Sequence, residues 1–211
     1  MLAEKIYLIL GINTEVGKSF LVENLCKILP NSRAIKPVIT GFRDDDDFSD
    51  SARILAAMNL ELTKENLDKI SPFRFEKPVS IHFAGRVNYQ KLINFCQENI
   101  INSKRNDEFL FIEAAGGIMS PITDSKTFLD VAQCLQIPIL LVSSNYLGAI
   151  SHSLTAMETL KKHNLFVEKI IFNEHFDTQI ASARIAKTIE NFSKVETIAI
   201  SKFLNSLNIK K

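Results

Sequence analysis

The chain has 211 residues, 25 Lys+Arg against 24 Asp+Glu, and a formal net charge of +1. That length suits one α/β domain, residues 1–211, with a sizeable core. The charge balance leaves no global field to recruit nucleic acid or an anionic membrane. Cys26, Cys96 and Cys134 stand far apart, in no zinc or redox spacing. They are expected to be reduced thiols of a cytoplasmic protein. The apolar run at the N-terminus is five residues, too short for a signal peptide, and no stretch approaches a membrane span.

The first predicted strand, 5–10, runs into Gly11-Ile12-Asn13-Thr14-Glu15-Val16-Gly17-Lys18-Ser19 and then a predicted helix, 18–29. This is the P-loop pattern G-x-x-x-x-G-K-[ST] in the strand–loop–helix setting it requires. The glycines let backbone amides wrap phosphate oxygens, and the helix presents its positive end to the anion. Lys18 is expected at the β- and γ-phosphates and Ser19 on Mg²⁺. A second predicted strand, 33–37, ends near Lys36, before Pro37-Val38-Ile39-Thr40-Gly41. A lysine there can stabilise transferring phosphate or a carboxylate-like group, and Thr40 adds a hydroxyl. Asp44-Asp45-Asp46-Asp47 reads as a solvated loop, since four consecutive carboxylates cannot all face one ion. Asp50 opens a predicted helix, 50–60, as its N-cap or as a carboxylate near the metal.

Further along, a predicted helix at 89–101 precedes the strand 109–113, which ends in Glu113 before Ala114-Ala115-Gly116-Gly117. An acidic residue at a strand tip beside a P-loop is a natural Mg²⁺ ligand. Helix 128–135, strand 137–143, helix 150–163, strand 167–173 and helix 180–192 complete the pattern. Free amides of Gly148, Ala149, Ile150 and Ser151 can hold an anion, or the segment is a connecting turn. Neither His82 nor His152 has the spacing of a proton relay. Apolar strands alternating with helices predict a P-loop NTPase-type α/β fold: an open, mostly parallel sheet with helices on both faces. Its ligand edge gathers Gly11, Lys36, Glu113, Asn145 and Asn173.

The motifs in this order resemble the dethiobiotin synthetases over nearly the whole chain. Gly11 to Ser19 is similar to G-T-[DN]-T-[ED]-V-G-K-[ST], and Lys36 to Gly41 to K-P-V-x-[ST]-G. Ser49-Asp50-Ser51 resembles S-D-[AS], and Lys77 to His82 resembles x-P-x-S-P-H. Glu113 to Gly117 resembles E-G-A-G-G, and Leu147 to His152 resembles L-G-x-I-N-H. The resemblance implies a homodimer that makes dethiobiotin from 7,8-diaminononanoate, CO₂ and ATP through a carbamate and its phosphoric anhydride. It implies that Lys36 and Thr40 hold the carbamate, Lys18 binds phosphate, and Ser19, Asp50 and Glu113 surround Mg²⁺. Glu15, Val16, Gly17, Phe20, Ala114, Ala115, Gly116 and Asn173 would border the nucleotide. Gly148, Ala149, Ile150 and Ser151 would bind the substrate carboxylate across the dimer interface.

The chain departs from that pattern in several places: Ile81 stands for proline, Ala114 for glycine, Ser151 for asparagine, and the segment at Ala199-Ile200-Ser201-Lys202-Phe203 lacks the family's G-x-[IL]-P. The last departure implies looser choice of nucleotide base. Switch ATPases of the partitioning and division type share the broad fold. Their phosphate loop carries an early lysine, however, where this chain has Ile12.

Overall fold

The computed structural model describes residues 2–43, 47–174 and 180–208. Its main sheet is wholly parallel, in the order β2-β5-β1-β6-β7-β8. These strands are β1 (Ile6–Gly11), β2 (Ser32–Ile35), β5 (Phe109–Glu113), β6 (Ile139–Ser144), β7 (Val167–Asn173) and β8 (Thr197–Ala199). β1 and β6 are buried along their whole length. Continuous apolar strands of this kind need helices on both faces. Tyr7, Phe111, Phe172 and Phe203 are among the fully buried side chains of the core.

All five strands expected from the apolar runs are present, with ends shifted by up to two residues. Helix α1 (Lys18–Ile28) buries Leu21, Val22 and Leu25. Helix α2 (Asp50–Ala57) is shorter than expected, and its N-cap is Ser49, whose hydroxyl accepts from Ala52 N. Asp50 is therefore the first helical residue, and its side chain is not the cap. Helices α5 (Tyr89–Asn106), α6 (Phe128–Leu135), α7 (Ala149–Lys162) and α8 (Ser182–Ser193) match the remaining periodic segments.

Other elements carried too little pattern to be foreseen. A second sheet pairs β3 (Val38–Thr40) with β4 (Phe73–Phe75). Helices α3 (Lys64–Ile70) and α4 (Ile81–Ala84) flank β4 in the chain. Strand β8 passes directly into α9 (Ile200–Asn208), so residues 200–203, where the family's proline-bearing segment is lacking, form a helical turn. Ile200, Phe203 and Leu204 lie at helical spacing and are buried. Asp44, Asp45 and Asp46 lie outside the described residues, and Asp47 is exposed. Among the described residues no helix is long and apolar enough to cross a membrane.

Burial separates the three thiols. It pushes Cys26 and Cys96 up to about 12, with a hydrogen bond from Ser32 opposing the shift at Cys26, whereas Cys134 is exposed. In native protein at pH 8 a thiolate-selective reagent is expected to modify Cys134 alone, and the other two only after unfolding. Peptide mapping after labelling in buffer and in denaturant checks this.

Candidate active site

The loop between β1 and α1 is shaped for an anion. Gly17 is the N-cap of α1 in the left-handed region, with φ 99, and no side chain caps the helix. First-turn amides of α1 are thereby left for a ligand. The close approach at Gly17 is enforced from behind, where an added Cβ would lie 2.4 Å from Asn173 Nδ2. Asn173 donates from that nitrogen to the Val16 carbonyl at 3.2 Å. The residue expected beside the nucleotide thus braces the phosphate loop. Glu15 and Phe20 are exposed at the lip of the loop.

Lys18 is buried beneath the loop and donates to the Asn13 carbonyl at 2.8 Å. Burial lowers its pKa to about 8; Lys36 adds to the fall, and Glu113 and Asp50 oppose it. A lysine so placed gains most when a polyanion arrives.

Lys36 is the second buried ammonium of the site. Its Nζ lies 3.2 Å from Ser19 Oγ and 2.8 Å from Glu113 Oε1, and it also bonds the Asp50 carboxylate. Ser19 in turn donates to Glu113 Oε1 at 2.6 Å. Burial alone would lower the Lys36 pKa, but Glu113 and Asp50 outweigh it and hold the group above the usual lysine range. Asp50 is likewise held below the ordinary range by Lys36 and Ser19, against the effect of burial. Two buried hydroxyls fix the backbone of this cluster. Ser71 donates to the Lys36 carbonyl at 2.7 Å and bonds Ser51, next to Asp50, at 2.7 Å.

Ser19, Asp50 and Glu113 therefore converge on one cation. Glu113 Oε2 is buried with no hydrogen-bond partner. Among the described residues there is no group of three or more His, Cys, Asp and Glu side chains able to hold a metal. Two carboxylates and a hydroxyl, with an unused buried oxygen, fit a Mg²⁺ that takes its other ligands from phosphate and water.

These residues open on a cleft of about 340 Å³. Glu15, Gly17, Lys18, Ser19, Phe20, Lys36, Thr40, Asp50, Glu113, Ala115 and Gly116 all line it. Val16 and Ala114 are buried behind it. Gly148, Ala149, Ile150 and Ser151 do not line it; they open α7, whose N-cap Gly148 has φ 97 and no side-chain cap. His152 bonds Tyr146 at 2.7 Å and His82 bonds Ser80 at 3.0 Å, both away from the cleft. Ser143, at the end of the expected strand 137–143, is a buried strand residue bonded to Ser153 at 2.7 Å. Thr14, Ile39 and Arg53 also line the cleft and had not been foreseen.

Residues 5–209 match the family model described as "AAA domain". The chain superposes on the MinC:MinD cell division protein complex of Aquifex aeolicus with a TM-score of 0.55, over 98% of this chain and 86% of that one. At 16% identity that likeness concerns the fold alone. Fold and phosphate loop together define a P-loop nucleotide-binding protein. The chain is 35% identical to the ATP-dependent dethiobiotin synthetase BioD of Methylobacterium nodulans, over 91% of each chain. It is 36% identical to that of Caulobacter vibrioides (strain NA1000 / CB15N), over 79% of this chain and 78% of the other. The chain belongs to the ATP-dependent dethiobiotin synthetase family and is an enzyme of the ligase class.

The lowered Lys18 pKa makes a signed prediction for nucleotide-free protein. Unfolding would return Lys18 to its ordinary value of 10.5 from about 8. Between those values the unfolded chain binds more protons, so wild-type stability rises with pH relative to Lys18→Met. Urea unfolding of both proteins at intervals from pH 7.5 to 10 checks this. Parallel stability curves would contradict the lowered pKa of buried Lys18.

Proposed function

We propose that the protein forms dethiobiotin from 7,8-diaminononanoate, CO₂ and ATP, releasing ADP and phosphate. One amine adds to CO₂ and loses a proton, giving a carbamate. A carbamate oxygen attacks the γ-phosphorus as the bond to ADP breaks. The second amine then attacks the carbamoyl carbon, expels phosphate and loses a proton, which closes the ureido ring.

The observation that carries this reading is Lys36, a second buried ammonium bonded to Ser19 at the first turn of the phosphate-loop helix. A carbamate is a weak nucleophile, so the site must chiefly align it with phosphorus and stabilise charge. Lys36 and Thr40 hold the carbamate, and Lys36 also neutralises the developing phosphoryl charge. Lys18 and the amides of Val16, Gly17, Ser19 and Phe20 take the β- and γ-phosphates. Ser19, Asp50 and Glu113 hold Mg²⁺, which when bound neutralises phosphate oxygens. The backbone of Ala114, Ala115 and Gly116 closes one wall, with Glu15 and Asn173 bordering the nucleotide. No activated serine or histidine is required.

The enzyme acts as a cytoplasmic homodimer in this reading. The start of α7, at Gly148, Ala149, Ile150 and Ser151, receives the substrate carboxylate from the partner's cleft through the amides other than that of Ala149, which donates to the Tyr146 carbonyl at 3.0 Å. A helix N-terminus favours such an anion. Leu147, immediately before it, is fully exposed. Base discrimination is loose, because β8 runs straight into α9 without the family's proline-bearing segment.

Dethiobiotin measured by mass spectrometry, with diaminononanoate, bicarbonate, Mg²⁺ and ATP each omitted in turn, tests the reaction. Product should require every component, and CTP or GTP should support turnover comparable to ATP. A strong preference for ATP would overturn the base assignment alone; no product from folded dimer would overturn the reaction. Lys36→Ala is expected to lower kcat by about 100-fold or more, the scale for removing a transition-state charge partner. Its nucleotide affinity should stay near wild type, whereas Lys18→Ala should lose both. Near-normal turnover in Lys36→Ala would remove Lys36 from the carbamate site.

A further inference from the structure

Two helices of the site run side by side and are tied at two levels. At the cleft floor the Lys36 ammonium bonds both Ser19 of α1 and Asp50 of α2. One turn further along each helix stand Glu23 and Arg53. The spacings i+4 on α1 and i+3 on α2 keep each residue on the same side as its predecessor. Glu23 Oε2 accepts Arg53 Nε at 3.0 Å and Nη2 at 2.5 Å. Glu23 Oε1 is occupied by Lys27. The guanidinium is thus gripped along one edge, and Nη1 has no hydrogen-bond partner among the described residues. Its side chain is 40% exposed, in contrast to the 6% of Lys36, and it lines the cleft.

We propose that Arg53 is a third cation of the nucleotide site, donating from the rim of the cleft to a phosphoryl oxygen of the bound nucleotide. This rests on the cleft being the nucleotide site, as argued above. Three acidic groups line the cleft with it, Glu15, Asp50 and Glu113, and Lys36 is bound up with two of them. Mg²⁺ and Lys18 alone leave part of a triphosphate's charge uncompensated. Arg53 is the remaining cationic side chain lining the cleft among the described residues. Glu23 does not need Arg53 for neutralisation, since Lys27 already pairs with it at i+4. The grip instead orients a planar fork, and a pre-oriented guanidinium loses little entropy on meeting phosphate. The carbamate belongs near Lys36 and Thr40 at the floor, which leaves the rim to the nucleotide.

The test is calorimetric titration of Mg·ADP and of the β,γ-imido analogue of ATP, without diamine, into wild type, Arg53→Ala, Glu23→Ala and Lys18→Ala. Loss of one charge-assisted hydrogen bond should weaken binding by about tenfold in Arg53→Ala. Glu23→Ala keeps the guanidinium and should stay within about threefold of wild type. Weakening with both nucleotides supports a contact to the α- or β-phosphate, and with the triphosphate analogue alone a contact to the γ-phosphate. Equal losses in Arg53→Ala and Glu23→Ala, with equal falls in thermal midpoint, would make the pair a structural bracket and overturn the proposal. Unchanged nucleotide affinity with a raised KM for diaminononanoate would place the contact on the carbamate side and also overturn it. If wild type bound neither nucleotide in a Lys18-dependent way, the reading of the cleft itself would fail.

Discussion

The site is organised by one buried cation. The Lys36 ammonium draws together Ser19 from α1, Asp50 from α2 and Glu113 from β5, and Lys36 itself follows β2. Burying the Lys36 and Glu113 charges separately would cost several kcal/mol each, of order the net stability of a domain, so each depends on the other. Two carboxylates against one ammonium leave the cluster one negative charge in excess, and Glu113 Oε2 carries no hydrogen bond. Such a cluster is held together by a cation and still suited to another. The chemistry proposed for Lys36 asks it to trade carboxylate partners for phosphoryl or carbamate oxygens. In that proposal, Mg²⁺ arriving with the nucleotide would make the trade electrostatically even.

The backbone beneath the cluster is built for constancy. Ser71 and Ser51 form a chain of buried hydroxyls from the Lys36 carbonyl to the first turn of α2. The small sheet of β3 and β4 continues the same bracing, with Lys36 N donating to the Ile70 carbonyl and Phe73 N to that of Pro37. Ser51, Ser71 and the β3–β4 sheet thus have a purpose beyond connection: they brace the backbone that carries Lys36 and Asp50. The likeness to MinD extends through the sheet, but at 16% identity it says nothing of these groups.

Much of this was legible in the chain. Five continuous apolar runs announce the buried parallel strands because a strand covered on both faces has no polar alternation to disguise it. The spacing of Gly11, Gly17, Lys18 and Ser19 announces a phosphate loop because few other uses exist for it. β3, β4 and β8 were not legible, since three residues are too few to establish a period. Arg53 escaped for another reason. A lone arginine on a helix looks like any solvated charge until α1 is seen to place Glu23 beside it. Asp50 was ambiguous because Ser49 and Asp50 are both good capping types. The structure gives the cap to the serine and frees the carboxylate.

The contact between Gly17 and Asn173 has a mechanical meaning. The side chain that ends β7 fills the space a Cβ would need at Gly17, and its amide holds the Val16 carbonyl. The left-handed turn of the phosphate loop is therefore wedged from the far side of β6, the strand between β1 and β7. A disturbance at the end of β7 is transmitted to the loop as a push on its tightest bend, without passing through the ligand. If Asn173 borders the nucleotide at its base, the two ends of a bound nucleotide would rest on a single lever, with its fulcrum at a residue that has no side chain to yield.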